Sequence, residues 1–167
     1  MKYAISNIAL PQYKHYTELS ELASLGFEGM EIAPSRVWSD TWKGLTAMDI
    51  QRYRHDVENA GLEVVGLHSL LFDQPDLALC DSTEKRALLM EYFVHLSGMC
   101  RDLGGRTIIW GGGRRRGEMP EDEALTVAVD FFGALADRIE CHGTVYCLEH
   151  LAAADTDFVN SVRECQA

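Results

Sequence analysis

Gly61-Leu62-Glu63-Val64-Val65-Gly66-Leu67-His68 is a short apolar run that follows a glycine, is rich in β-branched residues and ends on a histidine. Such a composition suits a strand. Upstream, Ile50, Tyr53, Val57 and Ala60 recur at helical spacing until Gly61, and glycine is the usual residue just past a helix C-terminus. Downstream, Ser82-Thr83-Glu84 opens a long stripe through Leu88, Leu89, Tyr92, Leu96 and Met99 that stops at Gly104, with serine as the capping residue. The local order is helix, strand, helix.

The same order extends both ways. Toward the N-terminus, Tyr3 to Leu10 reads as a strand stopped by Pro11, and Tyr16, Leu19, Leu22, Ala23 and Leu25 form a helical stripe ending at Gly26. Gly29-Met30-Glu31-Ile32 is the second strand. Toward the C-terminus, Thr107 to Trp110 is the fourth strand and Pro120 to Ile139 its helix, opened by proline and three acidic residues that suit a helix N-terminus. Thr144 to Leu148 is the fifth strand, and a last helix is expected to start at Asp155, Thr156 or Asp157. Strands alternating with helices, without hairpin signals, imply parallel strands joined by right-handed crossovers and hence an α/β fold. No linker divides residues 1–167, which read as one domain. Five units in 167 residues average about 33 each, and eight such units would reach the usual length of a (β/α)8 TIM barrel. The chain therefore reads as a partial (β/α)8 TIM barrel of about five parallel units, with an open doubly wound sheet as the alternative.

Composition narrows the function classes. The 47% hydrophobic content and 25% charged residues are those of a soluble globular domain. A net charge of -11 opposes the phosphate attraction on which nucleic-acid binding depends, so no nucleic-acid partner is expected. No apolar run is long enough for a membrane span, and the N-terminus has no signal-peptide core, so the expected location is cytoplasmic. The five cysteines at 80, 100, 141, 147 and 165 include no C-x-x-C pair and read as reduced thiols.

In parallel α/β folds ligands meet the C-terminal ends of strands. There the sequence offers Ser6 and Asn7, Glu31, His68-Ser69, Trp110 with Gly111-Gly112-Gly113, and Glu149-His150. Glu149 directly follows an apolar strand, so its carboxylate needs a cation or hydrogen bonds, and a hard divalent ion would supply the cation. His68 reads as a metal ligand, as a donor to a substrate hydroxyl, or as a histidine capping the strand end. Glu31 reads either as a substrate ligand or as a carboxylate satisfied by its neighbours. The three glycines followed by Arg114-Arg115-Arg116 pair open backbone amides with cations, which suits an anionic group. The run lacks the Gly-Lys-Ser/Thr ending of a P-loop. Trp38, Trp42 and Trp110 are aromatic surfaces able to wall a sugar. Neither H-E-x-x-H nor G-x-S-x-G occurs, which removes the metalloprotease and serine-hydrolase readings.

The series Gly26-Phe27-Glu28-Gly29-Met30-Glu31, Gly61 to His68, Trp110-Gly111-Gly112-Gly113 and Leu148-Glu149-His150 with Thr156-Asp157-Phe158-Val159-Asn160 resembles the xylose isomerase-like TIM barrels. That superfamily includes sugar phosphate isomerases and epimerases and endonuclease IV-like enzymes. The resemblance covers essentially the whole chain and implies a divalent metal, Mn2+ or Mg2+ first and Co2+ or Zn2+ second. Glu149 matches the strand-five glutamate that ligates the metal and takes part in proton transfer. The remaining ligands would come from strands six to eight, beyond Ala167. His68 matches a substrate-contacting histidine near the end of strand three, and Glu31, Trp110 and Arg114 complete the expected substrate-binding set. The implied chemistry is metal-assisted proton abstraction next to a carbonyl of a sugar or sugar phosphate. A nuclease of the endonuclease IV type needs a second histidine near the end of strand four, where this chain has Trp110 and glycines. The third possibility is a catalytically inactive partial barrel that serves as a binding or assembly module. Five strands also leave two open parallel edges, so a homo-oligomer covering them is expected.

Overall fold

The computed structural model describes residues 1–166. Five strands alternate with helices: β1 Ala4–Ser6, α1 Tyr16–Ser24, β2 Gly29–Ile32, α2 Ala47–Asn59, β3 Glu63–Leu67, α3 Thr83–Leu103, β4 Thr107–Trp110, α4 Glu121–Ile139, β5 Val145–Leu148 and a short α5, Val162–Cys165. All neighbouring strands pair in parallel, in the order β1-β2-β3-β4-β5. Sequential order without reversal is the arrangement of a barrel wall, whereas a doubly wound sheet reverses direction at a switch point.

Successive strand residues point to opposite faces, and here the two faces differ in kind. Met30, Ile32, Leu67, Ile108 and Trp110 are at most 1% exposed. They join Leu19, Val57, Leu89, Phe93, Leu96 and Leu135 from the helices in one apolar core. The opposite face carries Glu31, Glu63, Val65, Cys147 and Glu149, of which Glu63, Val65, Cys147 and Glu149 are exposed. Helices therefore cover one face only, as on a barrel wall.

Local chemistry accounts for the element ends. Ser82 accepts the Lys85 amide at the start of α3, and Gly104 ends that helix with φ 90, a left-handed conformation that glycine adopts without Cβ strain. Thr46 and Asp49 form a reciprocal capping box on α2. Gly66 lets β3 and β4 approach, because a Cβ there would collide with the Thr107 carbonyl.

Two boundaries differ from the sequence expectation. The first strand stops at Ser6 rather than Leu10, because the Ser6 side chain accepts the Ile8 amide and turns Asn7–Ala9 into a 3-10 turn. The last helix starts at Val162, capped by Ser161, and not at residues 155–157. There Asp157 instead accepts the backbone N–H groups of Arg116 and Gly117, and its carboxylate pKa is held down mainly by the Arg116 bond. Among the described residues no helix is long and apolar enough to cross a membrane.

Candidate functional site

At the C-terminal ends of β2 to β5 a cleft of about 720 Å³ opens on the uncovered face. Glu31, His68 and Glu149 all line it, with Phe72, the glycines at 111–113 and Asp155 around them. Four strands thus bring four of the five expected site residues, Trp110 included, to the border of one cleft, from positions separated by up to 118 in sequence.

His68 is the best anchored. Its Nε2 lies 2.6 Å from the Ser6 hydroxyl and its Nδ1 3.0 Å from the Ser69 hydroxyl, so both ring nitrogens have partners. Its amide continues the ladder to the Ile32 carbonyl at 3.0 Å, and the next residue, Ser69, sits at φ 54, an uncommon conformation for a non-glycine residue. Burial pushes the imidazole pKa below its ordinary value, and the negative charges of Glu31 and then Glu149 pull the other way. The neutral ring is the favoured form in the fold.

Glu149 follows the last residue of β5, and its amide is held by the Trp110 carbonyl at 3.0 Å. The carboxylate lies over Gly111, where a Cβ would come within 2.5 Å of Oε2. Gly111 therefore acts here by its small size, giving Glu149 room at the cleft wall. Glu31 pairs across the sheet with Ser6 and Gly66, beside the irregularity between Met30 and Glu31. Among the described residues no three His, Cys, Asp or Glu side chains converge on a point that would hold a metal ion. Glu149 fits a hard divalent ion as one oxygen ligand, and a closed metal cage is not built by these residues.

Two expectations change. Arg114 is 1% exposed and turns away from an anion in the cleft. Its Nε and Nη2 donate to the Phe158 and Val159 carbonyls at 2.9 Å each, Nη1 donates to Gly111, and burial lowers its pKa. Arg115 and Arg116 likewise donate to the carbonyls of Ala154, Asp157 and Met119. The basic triplet ties the loop after β4 to residues 154–159 and does not form an anion cradle. Trp110 is also 1% exposed and packs against Phe93 and Phe132 at centroid distances of 5.6 and 5.0 Å. Its ring belongs to the helix side of the sheet, though the residue borders the cleft.

Trp38 and Trp42 pack on Tyr53 and Tyr92 and do not line the cleft. The aromatic wall is Phe72, 75% exposed, which sequence reasoning passed over. Its signal was the apolar run Leu70-Leu71-Phe72 placed after a strand end, where a solvated turn would ordinarily be polar. Asp155 was read as a helix start and stands instead at the cleft rim.

Residues 19–167 match the sequence family described as Xylose isomerase-like TIM barrel. The chain belongs to that family, and its fold is a partial (β/α)8 barrel. No curated protein sequence matches it. Among solved structures it is similar to D-psicose 3-epimerase with D-tagatose from Clostridium cellulolyticum H10, with TM-score 0.75, 16% identity, and coverage of 98% of this chain and 57% of that one. It is similar to 3-keto-D-glucoside 4-epimerase from E. coli, with TM-score 0.76, 18% identity, and coverage of 98% and 61%. The IOLI protein with a bound zinc atom gives TM-score 0.65, 18% identity, and coverage of 89% and 51%. At these identities the likeness is one of fold, and the chain spans 51–61% of the length of these structures.

Proposed function

We propose that the cleft is the carbohydrate site of a sugar or sugar-phosphate isomerase or epimerase working by proton transfer next to a carbonyl. The juxtaposition of Glu149, His68 and Glu31 in one cleft carries this reading. Glu149 takes the proton from the carbon beside the carbonyl, a task for a carboxylate standing at the cleft wall. His68, held neutral by burial, hydrogen-bonds a substrate hydroxyl by exchanging with one of its two serine partners, and Ser69, at 3.0 Å, is the longer of the two. Glu31 accepts from a second hydroxyl, and the exposed Phe72 ring meets the apolar face of the sugar. A divalent ion, Mn2+ or Mg2+, ligated in part by Glu149, would polarise the carbonyl and stabilise the developing enediolate. Self-association covers the edges of β1 and β5, which end the sheet.

A second reading is that of a binding or assembly module without catalysis. Incubation with D-fructose in D2O separates the two. Deuterium entering the carbon beside the carbonyl, seen by NMR and lost in Glu149→Gln, is expected for the enzyme. No exchange with the wild-type chain, with or without Mn2+, while the sugar still perturbs cleft resonances, would establish the module.

A further inference from the structure

Next to the cleft a second cavity, of about 420 Å³, opens among the loops that follow β1, β2 and β3. Gln12 and Tyr13 wall it from the first loop, Ser35 and Arg36 from the second, and Phe72 and Asp73 from the third. Ser69 and Phe72 line both spaces, so the cavity and the cleft are neighbours that share one exposed aromatic ring. Its size is within the range of a small-molecule pocket. Its shape is fixed by bonds among these three loops. The Tyr13 amide donates to the Arg36 carbonyl at 2.8 Å, Arg36 Nη2 donates to the Leu10 carbonyl, and Gln12 Nε2 donates to the Ser35 carbonyl at 3.3 Å. Asp73 is held in turn, its Oδ2 accepting the Thr41 amide and hydroxyl at 3.2 and 2.6 Å.

The polar groups on these walls are left without protein partners. Arg36 Nε and Asp73 Oδ1 are buried and unbonded, a costly state for each. Of the guanidinium only Nη2 is engaged, which leaves the donors of Nε and Nη1 free. Among the described residues neither Arg36 nor Asp73 has an ion-pair partner, so the two charges do not satisfy each other directly. The backbone points the same way. Of three non-glycine residues with positive φ among the described residues, two, Tyr13 at φ 68 and Ser69 at φ 54, line this cavity. Such conformations are costly and cluster at ligand sites.

We infer that this cavity takes a second, neutral sugar ring, and that the substrate is a glycoside or disaccharide whose reacting unit occupies the cleft. Each hydroxyl of a sugar ring both donates and accepts, so one ring answers the free Arg36 donors and the free Asp73 oxygen together. An anion would be repelled by Asp73 and a cation by Arg36. Phe72, shared by the two spaces, packs on the apolar faces where the rings join. This assignment rests on the carbohydrate reading of the cleft and extends it from a single sugar to a pair.

The test is saturation-transfer NMR of the intact chain with D-fructose, and with lactulose and isomaltulose, which carry a second hexose ring on O4 and O6 of fructose. The expected result is saturation of both rings of at least one disaccharide and a Kd at least tenfold below that for D-fructose. In Ser35→Trp, which fills the cavity, that advantage and the saturation of the second ring are lost. Gln12→Trp, at an exposed position, is the second blocking variant should the first not fold, with circular dichroism checking both. Binding of D-fructose with no gain for either disaccharide, or a gain retained in the folded blocking variant, would overturn the second-ring site and leave the cleft reading standing. Failure of all three sugars to bind would remove the cleft reading and this inference with it.

Discussion

The two faces of the sheet obey different rules although they alternate along the same strands. On the helix side, Met30, Ile32 and Ile108 are fully buried, and shape complementarity decides which side chain fits. On the other side Val65 and Val145 are 39% and 50% exposed, and the strand ends carry Glu31, His68 and Glu149. Stability belongs to the first face and the proposed chemistry to the second, so a substitution should report which face it touches.

The contrast is sharpest in the core. Ile108→Ala should cost about 2–5 kcal/mol through lost burial and a residual cavity, whereas Val145→Ala on the other face should cost less than about 1 kcal/mol. Urea unfolding of both variants checks this, and similar losses would break the comparison. Arg114→Met comes next, at about 1–3 kcal/mol from unsatisfied carbonyls, with hydrogen exchange rising in residues 154–160. If Arg114 were instead a cleft anion ligand, that protection would not change. Gly111→Ala, which places a methyl against Glu149, should leave the melting temperature within a few degrees and lower deuterium exchange into substrate about tenfold or more. The smallest effect is that of acid. The pKa values of His15, His68 and His142 are all lowered from 6.5 by burial. The unfolded chain therefore binds more protons just below that pH, and stability is full above 6.5 and falls as pH drops through the window beneath it. A melting temperature that rose from pH 7 to pH 5.5 would contradict this sign.

Most of the fold was legible in the sequence because the helix-side residues follow simple periods. Ile50, Tyr53 and Val57 on α2, like Leu89, Tyr92 and Leu96 on α3, were marked by spacing alone and are buried. That Glu31, His68 and Glu149 line one cleft could be anticipated because a parallel sheet presents its strand ends together. What escaped was set by contacts between segments far apart in the chain. Nothing near Arg114 signals that its partner is the Phe158 carbonyl, 44 residues away, and a basic triplet after glycines reads locally as a solvated loop. Likewise Ser6 shortens the first strand through a side-chain bond to Ile8, which competes with sheet pairing and leaves no mark on hydrophobic periodicity.

The central claim, that the uncovered face holds a metal-assisted carbohydrate site built on Glu149, is tested most directly by a Mn2+ titration followed by thermal unfolding of the wild type and Glu149→Gln. Ligand binding to the native state raises apparent stability, so the account predicts a saturable upward shift in the wild type that is lost in the variant. An equal shift in both proteins, or none in either, would contradict it.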